Sequence, residues 1–267
     1  MAFVVGLDSS GNENNWSSTN LAGNDISLDT PNNNFCTLSP LDNRSSSTLT
    51  QGNLQISGSS TQAHLGSTFN MPATGKWYWE FLNQNASHME CGIIPNIESA
   101  PTSGSADELW YSGIGVYGTD IRAGNSTVAT TTNDAGDIYQ MALDSDTGKV
   151  WFGTNNTWLS SGNPSAGTNQ LATISDPETW VMTFFAVTDG CIRILNCGQN
   201  SSFVANKTAQ NNADAKGVGD FYYAPPTNFL ALCSKNLPKP SVSLPEEHFK
   251  TVIYTGAELL QIGVLQE

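Results

Sequence analysis

The chain has 267 residues, 38% hydrophobic and 13% charged, with 24 Asp and Glu against 10 Lys and Arg, a formal net charge of −14. That length and apolar content suit one substantial core. The acidic balance argues against a protein that tracks nucleic-acid phosphates with clustered Lys and Arg and against a polybasic membrane anchor. Asn, Ser, Thr, Gly and Gln fill the loops, a neutral polar surface suited to persistence outside cells and to contact with sugars or other uncharged polar groups.

At the N-terminus, Met1 to Leu7 is too short an apolar run for a signal peptide and has no basic lead-in. No stretch approaches the roughly 18 to 20 apolar residues of a membrane span. The segment Asp8 to Asn20 is polar and turn-rich with a single aromatic, Trp16, and reads as an edge loop pinned by that ring. Asp29 to Leu38 passes from a turn into a short apolar stretch, and the Ser/Thr-rich run to Thr50 leads to a strand candidate at Leu54 and Ile56.

In Gly75 to Phe81, Trp77, Trp79 and Phe81 share one face at period two, while Lys76, Tyr78 and Glu80 take the other, the pattern of a half-buried strand. Pro95 to Asp107 is rich in Pro, Ser, Gly and Ala and reads as a long exposed loop. Trp110 to Tyr117 mixes aromatic and aliphatic residues with glycine, a strand whose backbone a neighbour approaches closely. Ile121, Arg122 and Val128 give weaker strand signals. Gly136 to Phe152 reads as two strands flanking a turn at Asp144 to Gly148.

The apolar run Val181 to Val187 predicts a central strand buried on both faces. Asp189-Gly190 then predicts a hairpin into Cys191 to Leu195. Paired prolines around Phe221 to Pro240 predict a single helical turn packed on the sandwich, followed by an extended arm. The predicted organisation is one β-sandwich over residues 1–240, including the N-terminal edge segments, and a C-terminal arm over 241–267 for assembly or anchoring. No internal repeat is evident.

Three segments in this order resemble the SPRY family of bent antiparallel β-sandwich interaction domains: Gly75 to Phe81, Gly136 to Phe152, and Leu195-Asn196-Cys197-Gly198-Gln199-Asn200-Ser201-Ser202-Phe203. A second resemblance lies in the flanks, Ser10 to Trp16, Asp29 to Phe35, and Ala224 to Phe229 with Leu232 to Pro238, which look like those of SPRY-bearing tail-fibre and other virion proteins of marine bacteriophages. The fold implied is an all-β, SPRY-like sandwich with a loop-rich N-terminal segment and an extended C-terminal arm. The function implied is that of a virion surface protein that binds a host cell-surface glycan or protein through the sandwich loops. The family supplies no catalytic residues, and its ligand contacts lie in variable loops.

Candidate chemistry is sparse. The three histidines, His64, His88 and His248, have no metal-ligand spacing, and there is no nucleophile elbow or phosphate-binding loop. Asp144-x-Asp146-x-Gly148 has the opening of a calcium loop, but Asn155 stands where its closing acid belongs. No cofactor, metal site or catalytic residue is expected. A glycan depolymerase is the sharpest enzymatic alternative, with Glu80, Glu90, Asp107, Glu108, Asp134 and Asp137 available as its paired carboxylates. The five cysteines, Cys36, Cys91, Cys191, Cys197 and Cys233, are odd in number and irregularly spaced, and read as buried thiols made in a reducing cytoplasm. A Cys191–Cys197 bridge is the disfavoured alternative.

Trp77, Trp79, Trp151 and Phe152 fall on strands and read as core. Trp110, Tyr111, Tyr117 and Trp158 lie beside glycine-rich or polar loops and are the candidate ligand-binding aromatics. On the arm, Phe249, Val252, Tyr254, Leu259 and Leu260 are the candidate assembly residues, an apolar density that implies a partner surface. The expected partners are other virion proteins and further copies of the chain, with a trimer as one arrangement, alongside the host receptor, and neither nucleic acid nor membrane insertion. The expected location is the virion surface after synthesis in the host cytoplasm. The structural alternative is a capsid decoration or head-fibre protein held by the arm.

Overall fold

A computed structural model describes residues 11–15, 17, 19, 28–59, 64–86, 89–95, 112–187 and 189–238. Met1–Leu237 groups as one compact unit, and of the second, Pro238–Glu267, only Pro238 is among the described residues. Sixteen strands are described: β1 (Leu38–Asn43), β2 (Thr48–Thr50), β3 (Gln55–Ser57), β4 (His64–Asn70), β5 (Lys76–Asn83), β6 (Met89–Pro95), β7 (Ile114–Tyr117), β8 (Asp120–Ala123), β9 (Ser126–Thr130), β10 (Ile138–Asp144), β11 (Lys149–Thr154), β12 (Thr157–Trp158), β13 (Ala172–Thr173), β14 (Trp180–Ala186), β15 (Ile192–Asn196) and β16 (Leu230–Ala231). Among the described residues helical backbone is confined to 3-10 turns at Leu159–Ser161, Pro164–Ala166 and Pro177–Thr179.

The strands form two sheets. One runs β1-β4-β14-β6-β7-β8-β9, and the other runs β12-β11-β10-β5-β15-β3-β2, with β13 added beside β11 and β16 beside β5. Every named pairing is antiparallel except β16 on β5. Trp77, Trp79 and Phe81 of β5, Tyr139 and Met141 of β10, and Phe152 of β11 meet Leu65 of β4, Ile93 of β6, Val116 of β7 and Met182 and Phe184 of β14 in the core between the sheets. Phe81 makes edge-on contacts with Phe152 and Phe184, with ring centroids 6.0 Å apart in each case, the arrangement favoured by opposed ring quadrupoles.

Three expectations are corrected here. First, β5 is not half-buried: Tyr78, Glu80 and Leu82, on the face away from the core, are buried too. The segment after β15 lies across that face. Phe35, Tyr78, Ala142, Trp151, Val218, Phe221, Phe229 and Ala231 pack together there, and Leu82, Ile138, Ile194, Phe203 and Val204 form an adjoining cluster. Trp151 therefore belongs to this outer layer and not to the space between the sheets. Second, Asp189-Gly190 joins no hairpin, because β14 pairs with β4 and β6 whereas β15 pairs with β3 and β5; the turn passes from one sheet to the other. Third, the regular part of Phe221 to Pro238 is a strand, β16, which occupies the length of β5 beside Trp77 and Tyr78 that β15 leaves unpaired; the chain closes a single turn after it, with the Asn236 and Leu237 N–H groups donating to the Cys233 carbonyl at 3.0 and 3.2 Å.

Other expectations hold. The run Val181 to Ala186 is a central strand buried on both faces. Gly115 of β7 permits close backbone approach: a Cβ there would lie 2.3 Å from the Cys91 carbonyl oxygen, and one on the facing Gly92 would lie 2.1 Å from that of Ile114. Asp144 to Gly148 is the β10–β11 turn, with the Asp144 carboxylate accepting from Asp146 N–H at 3.1 Å and lying 3.3 Å from Lys76 Nζ. All five cysteines are buried free thiols, Cys191 and Cys197 included.

Candidate functional site

The open edges of the two sheets meet near β9 on one side and β11 and β12 on the other. The turn between β11 and β12 is made by Asn155 and Asn156, both with positive φ (49° and 63°), the conformation that a tight two-residue hairpin demands and that Asn tolerates. The chain then enters the 3-10 turn Leu159–Ser161, in which Ser160 and Ser161 are also left-handed. Between this turn and the run leaving β9 lies an open concavity of about 500 Å³, lined by Thr130, Thr131, Thr132, Thr154, Asn155 and Leu159.

Its walls are braced. Thr131 N–H donates to the Thr119 carbonyl at 2.8 Å, and Asn155 N–H donates to that of Ile138 at 2.9 Å. Asp137, only 7% exposed, stands behind the lining: it accepts from the Thr132 hydroxyl at 2.6 Å, from Asp134 N–H at 2.9 Å and from Asn155 Nδ2 at 2.8 Å. Asn155 Oδ1 accepts from Ile138 N–H at 2.9 Å, and the Thr131 and Thr154 hydroxyls share a 2.5 Å hydrogen bond. Tyr139 extends the brace by donating its phenolic hydrogen to the Thr132 carbonyl at 2.9 Å.

Two of the four aromatics expected to bind ligand are described. Trp158 is half-buried: its indole lies against Gly153, where a Cβ would sit 3.2 Å from Cε3, and it meets Tyr78 edge-on at 6.4 Å. It thus packs on the outer face of the sheet, while its neighbour Leu159 lines the groove. Tyr117 is half-buried at the end of β7, with the Arg122 guanidinium 5.8 Å from its ring and Arg122 paired to Asp120 at 3.2 Å. The structure does not bring Tyr117 and Trp158 into one cluster. Trp110 and Tyr111, most of the loop from Pro95 to Asp107, and the arm residues Phe249, Val252, Tyr254, Leu259 and Leu260 lie outside the described residues, as do Trp16, His88 and His248.

Of the carboxylates considered for hydrolysis, Asp134 and Asp137 are neighbours at one turn, where the buried Asp137 is taken up by Thr132, Asn155 and the Asp134 N–H, whereas Glu80 and Glu90 are apart. Glu80 is fully buried in β5 of one sheet and Glu90 in β6 of the other, and Asp107 and Glu108 lie outside the described residues. Glu80 is a structural hub. Its Oε1 accepts from Tyr78 OH at 2.8 Å and Tyr223 N–H at 2.7 Å, and its Oε2 accepts from Tyr222 N–H at 2.9 Å and Asn196 Nδ2 at 3.2 Å. Burial pushes its carboxyl up to about 7, against the pull of those four donors.

His64 forms a second buried relay on the outer face of the other sheet. Nε2 donates to Asp42 Oδ2 at 2.8 Å, which leaves Nδ1 to accept the Thr183 hydroxyl at 2.7 Å. Burial lowers the imidazole pKa and outweighs the opposing attraction of Asp42. His64 and Thr183 are 2% and 0% exposed; the relay fixes the bulged part of β1 to the sheet. Among the described residues no three His, Cys, Asp or Glu side chains are placed to hold a metal ion, and no helix is long and apolar enough to cross a membrane.

The fold is similar to that of SPRY domains. The PSpry domain of TRIM65 matches with a TM-score of 0.43 and 16% identity, over 61% of this chain and 92% of that one. The SPRY domain of human HERC1 matches at 0.41 and 10% identity, over 59% and 96%, and a further human SPRY domain at 0.42 and 10%, over 56% and 93%. No protein-family model and no curated protein matches the sequence.

Sequence reasoning missed the groove because its lining comes from three separate places, the Thr130–Thr132 run, the end of β11 with its turn, and Leu159. The signal that could have found it is the run of three threonines directly before the Gly136 strand segment, where a loop would otherwise carry Gly, Pro or Asp.

Proposed function

We propose that this chain is a non-catalytic binding module on the surface of a bacteriophage particle, attaching to a host cell-surface glycan or protein through the polar loops at one edge of its sandwich. The observation that carries the binding reading is the braced, open groove between the sheet edges, whose polar side chains are fixed by a buried carboxylate before any ligand arrives. Preformed polar sites of this kind bind with little ordering cost. The virion placement rests on the sequence, in which SPRY-like segments are joined to phage-type flanks.

Two of those flanks, around Phe35 and around Phe229, belong to the same folded unit as the sandwich. Cys36 N–H donates to the Leu232 carbonyl, and Ser234 N–H donates to that of Asn34, each at 2.9 Å; Phe35 packs with Phe221 and Phe229. The test is binding of the labelled, purified chain to host cells. Thr130 is exposed and lines the groove, so Thr130→Arg fills it without touching the core, and saturable binding is expected to disappear. Undiminished binding by that variant refutes the groove as the attachment site; a Gly/Ser replacement of residues 96–109 then tests the long loop expected from the sequence.

The apolar density from Phe249 to Leu265 favours an additional anchoring role, with the arm holding the module to other virion proteins or to further copies of itself. Truncation after His248 is expected to abolish incorporation into particles while residues 1–237 stay folded. Normal incorporation contradicts the anchoring role.

A further inference from the structure

We propose that the groove takes a neutral, hydroxyl-rich ligand, a saccharide of one or two rings, in preference to an anion or an extended peptide. This rests on the groove being the binding site and specifies what fills it. None of the six lining side chains is charged. The charge bonded to the lining is the Asp137 carboxylate, which holds Thr132 and Asn155; Lys207 and Arg193 are held at the same turn by the Gly136 carbonyl and Asn133 Oδ1, and the whole chain carries −14, a balance that disfavours phosphate, sulfate and carboxylate ligands.

The hydrogen-bond directions are set in advance. Because Thr132 gives its hydroxyl hydrogen to Asp137, its oxygen faces a ligand as an acceptor, and the charge behind it strengthens that role. Thr131 and Thr154 share one hydrogen bond, so whichever donates, the other keeps its own proton to give away. The Asn155 amide, locked at Oδ1 by Ile138 and at Nδ2 by Asp137, retains a second N–H. Donors and acceptors thus alternate over a short distance on a rigid wall. A sugar hydroxyl, which donates and accepts at one atom, fits that alternation, and Leu159 supplies the aliphatic surface that the C–H face of a ring requires. The concavity, about 500 Å³ and open to solvent, would hold one or two rings by one face.

A peptide strand would need a regular sheet edge. The edge here is β9, and its register against β8 shifts between Ile121 and Arg122, where Ala129 and Thr127 are the successive partners. A bulge of this kind twists the edge and interrupts the evenly spaced N–H and C=O groups that strand addition uses.

The experiment uses the full chain and follows backbone amide NMR shifts during titration with glucose, galactose, mannose, N-acetylglucosamine and their disaccharides, with a sulfated disaccharide and an uncharged extended decapeptide as contrasts. Saturable shifts at Thr130–Thr132, Thr154 and Asn155 with at least one neutral saccharide are expected. Thr132→Val should weaken them about tenfold, and Thr130→Arg, which leaves Asp137 paired, should abolish them. Shifts at these residues with the peptide or the sulfated sugar alone overturn the ligand class, as does the absence of groove shifts with every neutral saccharide. If Thr130→Arg still abolishes cell binding in either case, the attachment reading stands and only the ligand class falls; if it leaves cell binding intact, the attachment reading falls, whatever the saccharides do.

Discussion

Replacing Glu80 by Gln tests whether a buried carboxyl sets the pH dependence of this fold. Glu80 is fully buried, and its pKa rises from an ordinary 4.5 to about 7, burial being the largest cause. A raised folded-state pKa means that the associated stability is fully present below the unfolded value and is lost as pH climbs through the folded one. The window therefore runs from about pH 4.5 to about pH 7. At ~1.4 kcal/mol per pH unit, the loss at mildly alkaline pH is about 3 kcal/mol. Glutamine removes the titration but also turns an amide N–H₂ toward either the Tyr223 or the Tyr222 N–H, at a cost of about 1–3 kcal/mol at every pH. Urea unfolding of both proteins between pH 4 and pH 8 isolates Glu80, because every other titrating group, His64 included, cancels in the difference. The wild-type advantage should be largest at pH 4 and shrink by about 3 kcal/mol by pH 8. A difference that does not change with pH would refute the reasoning: the four donors would then have kept Glu80 ionised throughout.

Three further substitutions probe the packing. Gly66→Ala places a Cβ 2.3 Å from Asp42 Oδ2 and 2.9 Å from His64 Nε2, so the Asp42–His64 bond should break at a cost of about 1–3 kcal/mol, read by thermal unfolding and by a changed NMR titration of the His64 ring. Gly92→Ala drives a Cβ against the Ile114 carbonyl, a backbone obstacle that cannot rotate away, and should cost about 3 kcal/mol or more; a loss under 1 kcal/mol would show that β6 and β7 can separate. Ser160→Gly should stabilise by about 1 kcal/mol, because Ser160 is exposed with φ 51° and a left-handed non-glycine residue is strained by roughly 1–2 kcal/mol. Calorimetry should record a Tm about 2–4 °C higher.

The features legible in the sequence were those set within one segment. Period two placed Trp77, Trp79 and Phe81 on the core side of β5, an unbroken apolar run marked β14, and Asp144 to Gly148 marked a turn. What failed depended on distant chain. Nothing in Lys76 to Phe81 tells that Tyr78 and Glu80 will be covered by residues from Phe203 to Cys233, because that covering segment has no period of its own and is held by individual contacts. Asp189-Gly190 predicted a turn, and Gly190 does adopt φ 72°, but turn chemistry does not choose strand partners, and β15 found β5. The groove was illegible for the same reason, since its polar atoms converge only once both sheet edges are in place.

The motif with the most distinctive sequence, Asn196 to Phe203, is occupied internally. Asn196 Oδ1 accepts from Gly198 and Asn200 N–H at 2.9 and 3.1 Å, and its amide donates to Glu80 and to the Asp220 carbonyl. Gln199 accepts from Cys197 N–H and donates to the Cys36 carbonyl, both within 2.9 Å. These side chains tie β15 to the strand beside it, to the outer layer and to the chain entering β1, so their polar groups are consumed by the fold. These residues are therefore poor places to look for a ligand. Thr130 to Thr132 and Asn155 have the opposite character: they are partly or fully exposed, their bonds to the fold leave further donors and acceptors, and the exposed Thr130 can change without cost to the core. Under the proposed attachment reading, variation belongs at such positions, over the buried Asp137, which holds Thr132 and Asn155 in place, and away from clamps such as Asn196 and Glu80.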